Sequence, residues 1–160
     1  MDQGDARFED AEDGPLRLLA LDTEDLKILA ALVQDAIFVA ADAAWLQRQR
    51  RFAVLVNRFR WEDAEAAERQ HRPYERVRSL LIVDNVLRVR AQGVDPSERD
   101  TVMSILDMSF EGGADQGGTL TLTLAGDGAI AIDVEALEVG LKDVTRPYVA
   151  PSGKAPFHPI

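Results

Sequence analysis

The sequence predicts an α+β fold that is predominantly antiparallel β. From Ile37 onward, apolar residues recur mainly with a period of two for about a hundred residues, which is the spacing of half-buried strands. Helical spacing is confined to two short segments near the ends of the chain. At 160 residues and 46% hydrophobic content, one domain can bury roughly 70% of the surface that its unfolded chain exposes. A single self-supporting core is therefore expected.

The first elements are a strand and a helix. The apolar run from Leu16 to Leu21 predicts a strand, and Asp22 is suited to cap the helix that follows. This helix is predicted from Thr23 to about Gln34 or Asp35. Its apolar stripe is formed by Leu26, Leu29, Ala30 and Val33 and continues to Ile37.

Strands then follow one another. They are predicted over Ile37–Ala40, Ala44–Arg48, Phe52–Trp61, Ser79–Ala91, Thr101–Phe110 and in the hairpin Thr119–Val134 around Gly126-Asp127-Gly128. Ser79–Ala91 is interpreted as one bent strand with a bulge at Asp84 and Asn85, and two strands joined by those residues are the alternative. The charged stretch Glu62–Arg72 predicts a loop or a solvated helical turn.

Two strand regions give definite core predictions, because side chains of one parity share a face. In the hairpin the predicted core residues are Leu120, Leu122, Leu124, Ile130, Ile132 and Val134. In the preceding strand they are Val102, Leu106, Met108 and Phe110.

A final amphipathic helix is predicted from Leu137, Leu141 and Val144, which recur at helical spacing after a possible cap at Asp133. Seven strands followed by a terminal helix resemble a pleckstrin-homology-like barrel, in which the helix plugs an open corner. The N-terminal strand and helix are additions to that architecture. A two-layer α+β sandwich with both helices on one sheet face is the alternative.

Composition suggests three regions. Residues 1–15 are predicted to be a flexible acidic N-terminus, 16–144 a single globular domain, and 145–160 a proline-rich extended tail.

The absence of cysteine excludes disulfides, thiol catalysis and the common structural zinc sites. Only His71 and His158 offer imidazole groups, and neither lies in a pattern typical of catalysis, so no catalytic residue, metal site or cofactor is predicted. There is no signal-peptide pattern and no long uninterrupted apolar segment. We therefore expect a cytoplasmic protein that does not interact with membranes.

Charge is distributed unevenly along the chain. The net charge is −10, yet between Arg48 and Arg90 there are 11 Arg and six acidic residues, a local net of +5. If the intervening strands form a meander, two clusters result. The candidate anion-binding residues are Arg50, Arg51, Arg88 and Arg90 at one end and Arg58, Arg60 and Arg78 at the other. Guanidinium groups suit bidentate binding of phosphate or carboxylate.

Internal pairing is the alternative for both Arg clusters, with Asp107, Glu62, Asp63 or Glu75 as partners. Arg is also simply the preferred cation of this chain, at 15 Arg to three Lys. Nucleic-acid binding is disfavoured, because the rest of the chain is strongly acidic and because Phe59 and Trp61 have the parity of core residues.

Three segments carry a resemblance to a family of small uncharacterised alphaproteobacterial proteins. They are Ala44–Glu62, Glu75–Asp95 and the stretch GAIAIDVEALEVGLKDV, and the resemblance extends from Leu16 to Val144. It implies a bacterial cytosolic protein and brings no catalytic motif with it.

The leading functional hypothesis is a non-catalytic cytosolic binding or interaction module with an unidentified protein partner. One alternative is a protein or enzyme that binds a small anionic ligand through the Arg clusters. Another is a structural homodimer that pairs through exposed sheet edges or an uncovered helix face.

Overall fold

The structure is a computed structural model that describes residues 14–113, 115–152 and 154–156. Two α-helices are present in this part of the chain, α1 (Thr23–Leu32) and α2 (Trp61–Arg69), together with a short 3-10 helix over Ala40–Asp42. The strands are β1 (Arg17–Ala20), β2 (Ile37–Val39), β3 (Ala43–Leu46), β4 (Arg51–Phe59), β5 (Glu75–Val83), β6 (Val86–Gln92), β7 (Val102–Gly112), β8 (Gly118–Leu124), β9 (Ala129–Val134), β10 (Val139–Asp143) and β11 (Tyr148–Val149).

All strand pairs are antiparallel, and the strands join in the order β1-β10-β5-β4-β2-β7-β8-β9-β6. Strand β3 pairs with β4, and β11 pairs with β5. We call β1, β10, β5, β4, β3, β2 and β11 the first part of the sheet, and β8, β9 and β6 the second part. The sheet is open, and the predicted α+β class is confirmed.

Strand β7 connects the two parts. Its residues Val102 to Ser104 pair with β2, and Ile105 to Gly112 pair with β8. The register shifts between Ile105 and Asp107. Such a bulge bends a strand and raises its local twist, so β7 turns from one part of the sheet into the other.

The bulge also explains why two core predictions are wrong. Ile105 and Met108 are buried, whereas Val102 is 63% exposed and Leu106 is 38% exposed. One extra residue in the strand exchanges the two faces. The parity that buries Met108 after the bulge therefore no longer buries Val102 before it.

The hairpin of β8 and β9 confirms its prediction. All six predicted core residues are buried, namely Leu120, Leu122, Leu124, Ile130, Ile132 and Val134. The turn places Gly126 at φ 80° and Asp127 at φ 65°, backbone angles that glycine and aspartate adopt more readily than most residues.

One hydrophobic core unites both parts of the sheet with α1. It contains Val54 and Leu81 from the first part, Leu122 and Ile132 from the second, and Leu29 from α1. The helix starts as predicted, because the Asp25 amide donates a hydrogen bond of 2.8 Å to Oδ1 of Asp22.

The predicted C-terminal helix is wrong. Residues Val139–Asp143 form β10, which lies between β1 and β5. Leu137 and Leu141 fit helical spacing, but with Val139 they also share one strand parity, and all three are buried. Two strand edges supply the hydrogen bonds of β10, so tertiary pairing decides between the two patterns. The comparison with a pleckstrin-homology-like barrel depended on this helix.

The prediction of one continuous strand over Ser79–Ala91 is also wrong. β5 pairs in the first part of the sheet and β6 in the second, with Asp84 and Asn85 between them. Asn85 has a φ of 59°, a left-handed conformation that Asn tolerates well. The chain therefore crosses from one part of the sheet to the other at the residues where a bulge was expected.

Most of Glu62–Arg72, the stretch predicted as a loop or a solvated helical turn, belongs to the nine-residue helix α2, which begins one residue earlier at Trp61. Trp61 anchors the start of α2, because its Nε1 donates to the Gln34 carbonyl oxygen at 3.0 Å. Residues Tyr148 and Val149, which lie in the predicted tail, extend along β5 as β11.

We expect Leu122→Ala to lower the free energy of unfolding by about 2–5 kcal/mol, because it leaves a cavity in the core. Leu106→Ala removes the same atoms from an exposed site and should cost less than about 1 kcal/mol. Urea denaturation of both variants measures the difference. Equal losses would contradict the position of the β7 bulge.

Candidate functional site

Arg58 lies on the core side of β4 with no exposed surface. Its Nη1 and Nη2 donate to the two carboxylate oxygens of Glu62 at 2.8 and 2.7 Å. Nη2 also donates to Oδ1 of Asp143 at 3.0 Å, and Nε donates to the Ser79 hydroxyl at 2.9 Å. A buried charge needs partners of this kind to offset its lost hydration.

These bonds join distant segments. Ser79 on β5 donates to Asp143 on β10 at 2.7 Å, and the same carboxylate accepts the Leu16 amide at 2.9 Å. Burial lowers the pKa of Arg58, but the hydrogen bonds and charges of Glu62 and Asp143 outweigh it, so that its pKa is raised. Arg58 is therefore a permanent cation that ties β4, β5, β10 and α2 together.

Arg60 extends the same network. It pairs with Glu75 and lies 3.6 Å from Asp63. Nη2 of Arg72 in turn lies 2.9 Å from Oδ1 of Asp63. We call the resulting group the ion cluster, and its members are Arg58, Arg60, Arg72, Glu62, Asp63, Glu75 and Asp143. Three of the carboxylates named from the sequence as internal partners, Glu62, Asp63 and Glu75, belong to it.

The other predicted group lies at the surface, and each Arg in it contacts a carboxylate. Arg50 pairs with Glu135 at 2.6 Å, and Arg51 with Asp84 at 2.8 Å. The structure brings Arg88 and Arg90 together on Asp133, at 3.0 and 2.7 Å. Anion binding by this group stays a prediction, and an incoming anion would compete with these carboxylates.

Arg78 is separated from Arg58 and Arg60, because its side chain is on the opposite face of the sheet. Its guanidinium has no ion pair or side-chain hydrogen bond to any residue in the described part of the chain. It borders a depression of about 170 Å³, whose lining includes Ile37, Asn57 and Val102. Among the seven predicted anion-binding Arg residues, Arg78 alone has no carboxylate partner among the described residues.

This depression is part of a larger apolar surface. Register and burial place one set of side chains on the side of the first part of the sheet that faces away from the core. We call this surface the outer face. Its apolar members are Leu19, Ile37, Val39, Ala44, Leu46, Ala53, Leu55, Leu80, Ile82, Val102 and Val144. No described helix lies over it, and Leu19 and Val144 are 42% and 47% exposed.

Cations lie along one side of the outer face. Arg17 on β1 and Lys142 on β10 are exposed and stand directly opposite each other in register. Like charges in this arrangement repel each other, and neither has an ion-pair partner among the described residues. With Arg78, they make this side of the face cationic.

The other side of the outer face is acidic. Asp42 is exposed and borders the depression from the segment between β2 and β3. The Ala41 amide donates to the Arg99 carbonyl oxygen at 3.1 Å, which brings the loop carrying Glu98 and Asp100 alongside. The outer face is thus apolar in the centre and oppositely charged at its two sides.

One feature of the sequence marks the outer face. Residues Leu80 to Val83 are four consecutive apolar residues. An antiparallel strand with one solvated face alternates apolar and polar residues, whereas an unbroken apolar run is typical of a strand covered on both faces. Leu80 and Ile82 belong to the face that no described element covers.

Among residues 14–113, 115–152 and 154–156, no group of three or more His, Asp or Glu side chains is placed to hold a metal ion. In the same ranges, neither helix has the length and apolar character needed to cross a membrane.

We expect Arg58→Ala to lower the free energy of unfolding by about 3–5 kcal/mol, because it leaves Glu62 and Asp143 buried without their cation. Arg88→Ala removes an exposed partner of Asp133 and should cost less than about 1 kcal/mol. Chemical denaturation at neutral pH measures both. A small effect of Arg58→Ala would show that the ion cluster does not stabilise the fold.

Asp133 supplies a prediction about pH. Burial raises the pKa of Asp133, but hydrogen bonds from Thr119, Arg90 and Arg88 outweigh it and lower the pKa below its usual value of 3.8. The contribution of ionised Asp133 to the free energy of unfolding is therefore complete above pH 3.8 and is lost as the pH falls through the lowered pKa. Asp133→Asn should be less stable than the native protein at pH 7, and the difference should shrink below pH 3.8. Urea midpoints across this range measure it, and a constant difference would contradict the assignment.

Comparison with known proteins supplies the last observation on this chain. No curated protein and no solved structure matches it. Residues 16–158 match the model of a family described as "Protein of unknown function (DUF2948)". This range begins with the residue before β1 and includes the ion cluster and every residue of the outer face. The chain therefore belongs to the DUF2948 family.

Proposed function

We propose that this chain is a non-catalytic protein-interaction module whose binding surface is the outer face. The observation that carries the proposal is an apolar sheet face that no described element covers. Its members range from the half-buried Leu55 and Leu80 to the exposed Val102. A contiguous apolar surface that solvent reaches is typical of protein–protein contact sites. Its members come from strands that the core and the ion cluster hold rigidly, so the surface is formed before a partner arrives.

The second part of the sheet provides an internal comparison. Its side facing away from the core carries Arg88, Arg90, Asp133, Thr119, Thr121 and Thr123. This is the polar pattern expected where an antiparallel sheet meets water. Both parts belong to the same sheet of the same chain, so the apolar character of the outer face is a local property and supports a local role.

The proposal includes a bacterial, cytoplasmic setting. It rests on the cysteine-free composition and on the resemblance noted from the sequence, both of which suit a reducing compartment.

Site-specific photo-crosslinking in the source cell tests this function. A benzophenone amino acid placed at position 80 should crosslink to protein, because Leu80 lies in the centre of the outer face. The same amino acid at position 121 is the matched control, since Thr121 lies on the polar surface of the second part. Equal crosslinking at both positions, or none at position 80, would contradict the proposal.

A small anionic ligand is the second candidate, and Arg78 is the observation that favours it. Arg78 has no described carboxylate partner and borders a depression that Ile37 and Val102 also line, so it suits a carboxylate or phosphate on an apolar body. Asp42 lines the same depression and would have to stay clear of the anionic group. Native mass spectrometry of gently purified protein should then show excess mass that is lost on denaturation. Arg78→Gln should remove the excess mass, whereas Arg88→Gln should retain it. A clean protein mass would eliminate this candidate.

A further inference from the structure

We infer that the partner of the outer face is a second copy of this chain, bound face to face across a two-fold axis. This inference rests on the proposed function, because it names the partner for the same surface. It follows from three features of the outer face, namely its strand order, its apolar rows and its opposite charges.

The strand order gives the position of the axis. Across the outer face the order is β1-β10-β5-β4-β2-β7, with three strands on either side of the line between β5 and β4. A two-fold axis that runs along this line, parallel to the strands, places β5 over β4, β10 over β3 and the end of β2, and β1 over the start of β7 of the second copy. Sheets packed in this aligned way lie about 10 Å apart.

The rows of apolar side chains that run across the strands then match between the two copies. Leu55 and Leu80 are register partners in one copy, as are Ala53 and Ile82. Rotation about the axis keeps each row at its own level along the strands. It therefore places Leu80 over Leu55 of the second copy, and Ile82 over its Ala53. A large residue over a small one allows the two faces to interdigitate.

The charges match as well. The rotation brings the cationic side of one copy over the acidic side of the other. Continued across the strands, the register places Lys142 over Val39, which borders the same depression as Asp42. It also places Arg17 over Val102, two residues from Asp100. The repulsion between Arg17 and Lys142, which the described residues leave uncompensated, is relieved by carboxylates of the second copy. Because the interface is isologous, each such pair occurs twice.

The size of the face sets the expected affinity. Six strands spaced about 4.8 Å apart and about five residues deep cover roughly 25 Å by 15 Å. This is about 400 Å² per copy, roughly half of the 800 Å² per partner of a standard interface, so we expect a weak, transient dimer with a dissociation constant of roughly 100 µM or more.

Sedimentation velocity of the full chain from about 1 to 500 µM, at 0.15 M salt to screen the net charge, tests the inference. We expect a reversible monomer–dimer equilibrium. Leu80→Glu should raise the dissociation constant at least about tenfold, because it places a carboxylate against Leu55 of the second copy. Thr121→Glu is the matched control on the polar surface and should leave the constant unchanged. Circular dichroism and the urea midpoint verify that both variants fold.

A charge exchange tests the orientation without changing the apolar face. Lys142→Glu alone should weaken the dimer about threefold to tenfold, since two pairs are lost. Adding Asp42→Lys should restore most of the affinity, because the exchanged charges again face each other. A double variant weaker than Lys142→Glu alone would overturn the two-fold arrangement.

The chain has no cysteine, so a single introduced cysteine gives an unambiguous crosslink. Leu55→Cys lies beside the axis and should be linked to its equivalent by a bismaleimide of about 10 Å, whereas Thr121→Cys should not be linked. A monomer at every concentration overturns the inference, as does a dimer that Leu80→Glu leaves intact. If the dimer is absent and position 80 still photo-crosslinks to a different protein, the proposed interaction function stands. If position 80 gives no crosslink to protein, the interaction function and the dimer both fail.

Discussion

The buried guanidinium of Arg58 is the interaction on which the rest of the structure depends. Its charge is buried on the core side of the first part of the sheet. Glu62, Asp143 and Ser79 satisfy its hydrogen bonds. Those partners come from α2, β10 and β5, and Asp143 on β10 is 85 residues from Arg58 in sequence. A buried charge without its partners is costly, so Arg58 requires these elements to assemble together. It thereby fixes the position of β10, the strand that carries Lys142 on its other side.

A second constraint is the change of direction between the two parts of the sheet. The bulge in β7 and the Asp84-Asn85 turn after β5 are the two places where the chain passes from one part to the other. Together they allow Leu81 and Leu122, from different parts, to share one core. The same bend separates the outer face from the polar surface of the second part. The second part therefore presents threonines and ion pairs, while the first part presents leucines and valines.

The difference between the two surfaces identifies the outer face as the candidate binding surface. Arginines were the obvious candidates in the sequence, but Arg58 and Arg60 hold the fold together, and Arg88 and Arg90 are held by Asp133. What remains is the outer face, where Arg78, Arg17 and Lys142 border apolar side chains. A surface that is apolar in the centre and oppositely charged at its sides is self-complementary under a two-fold rotation, and this property leads from a binding module to a dimer.

Local pattern alone determined the elements whose neighbours in space are also neighbours in sequence. The β8–β9 hairpin with its six buried residues, the α1 helix with its Asp22 cap, and the α+β class were predictable, because turn chemistry, capping and strand parity act over a few residues. Tertiary structure decided the rest. Whether Leu137 to Val144 forms a helix or a strand depends on the edges of β1 and β5, and whether Arg58 is buried depends on Asp143, 85 residues away. The outer face likewise exists only because β1, β10, β5, β4, β2 and β7 become neighbours, and no local spacing encodes that order.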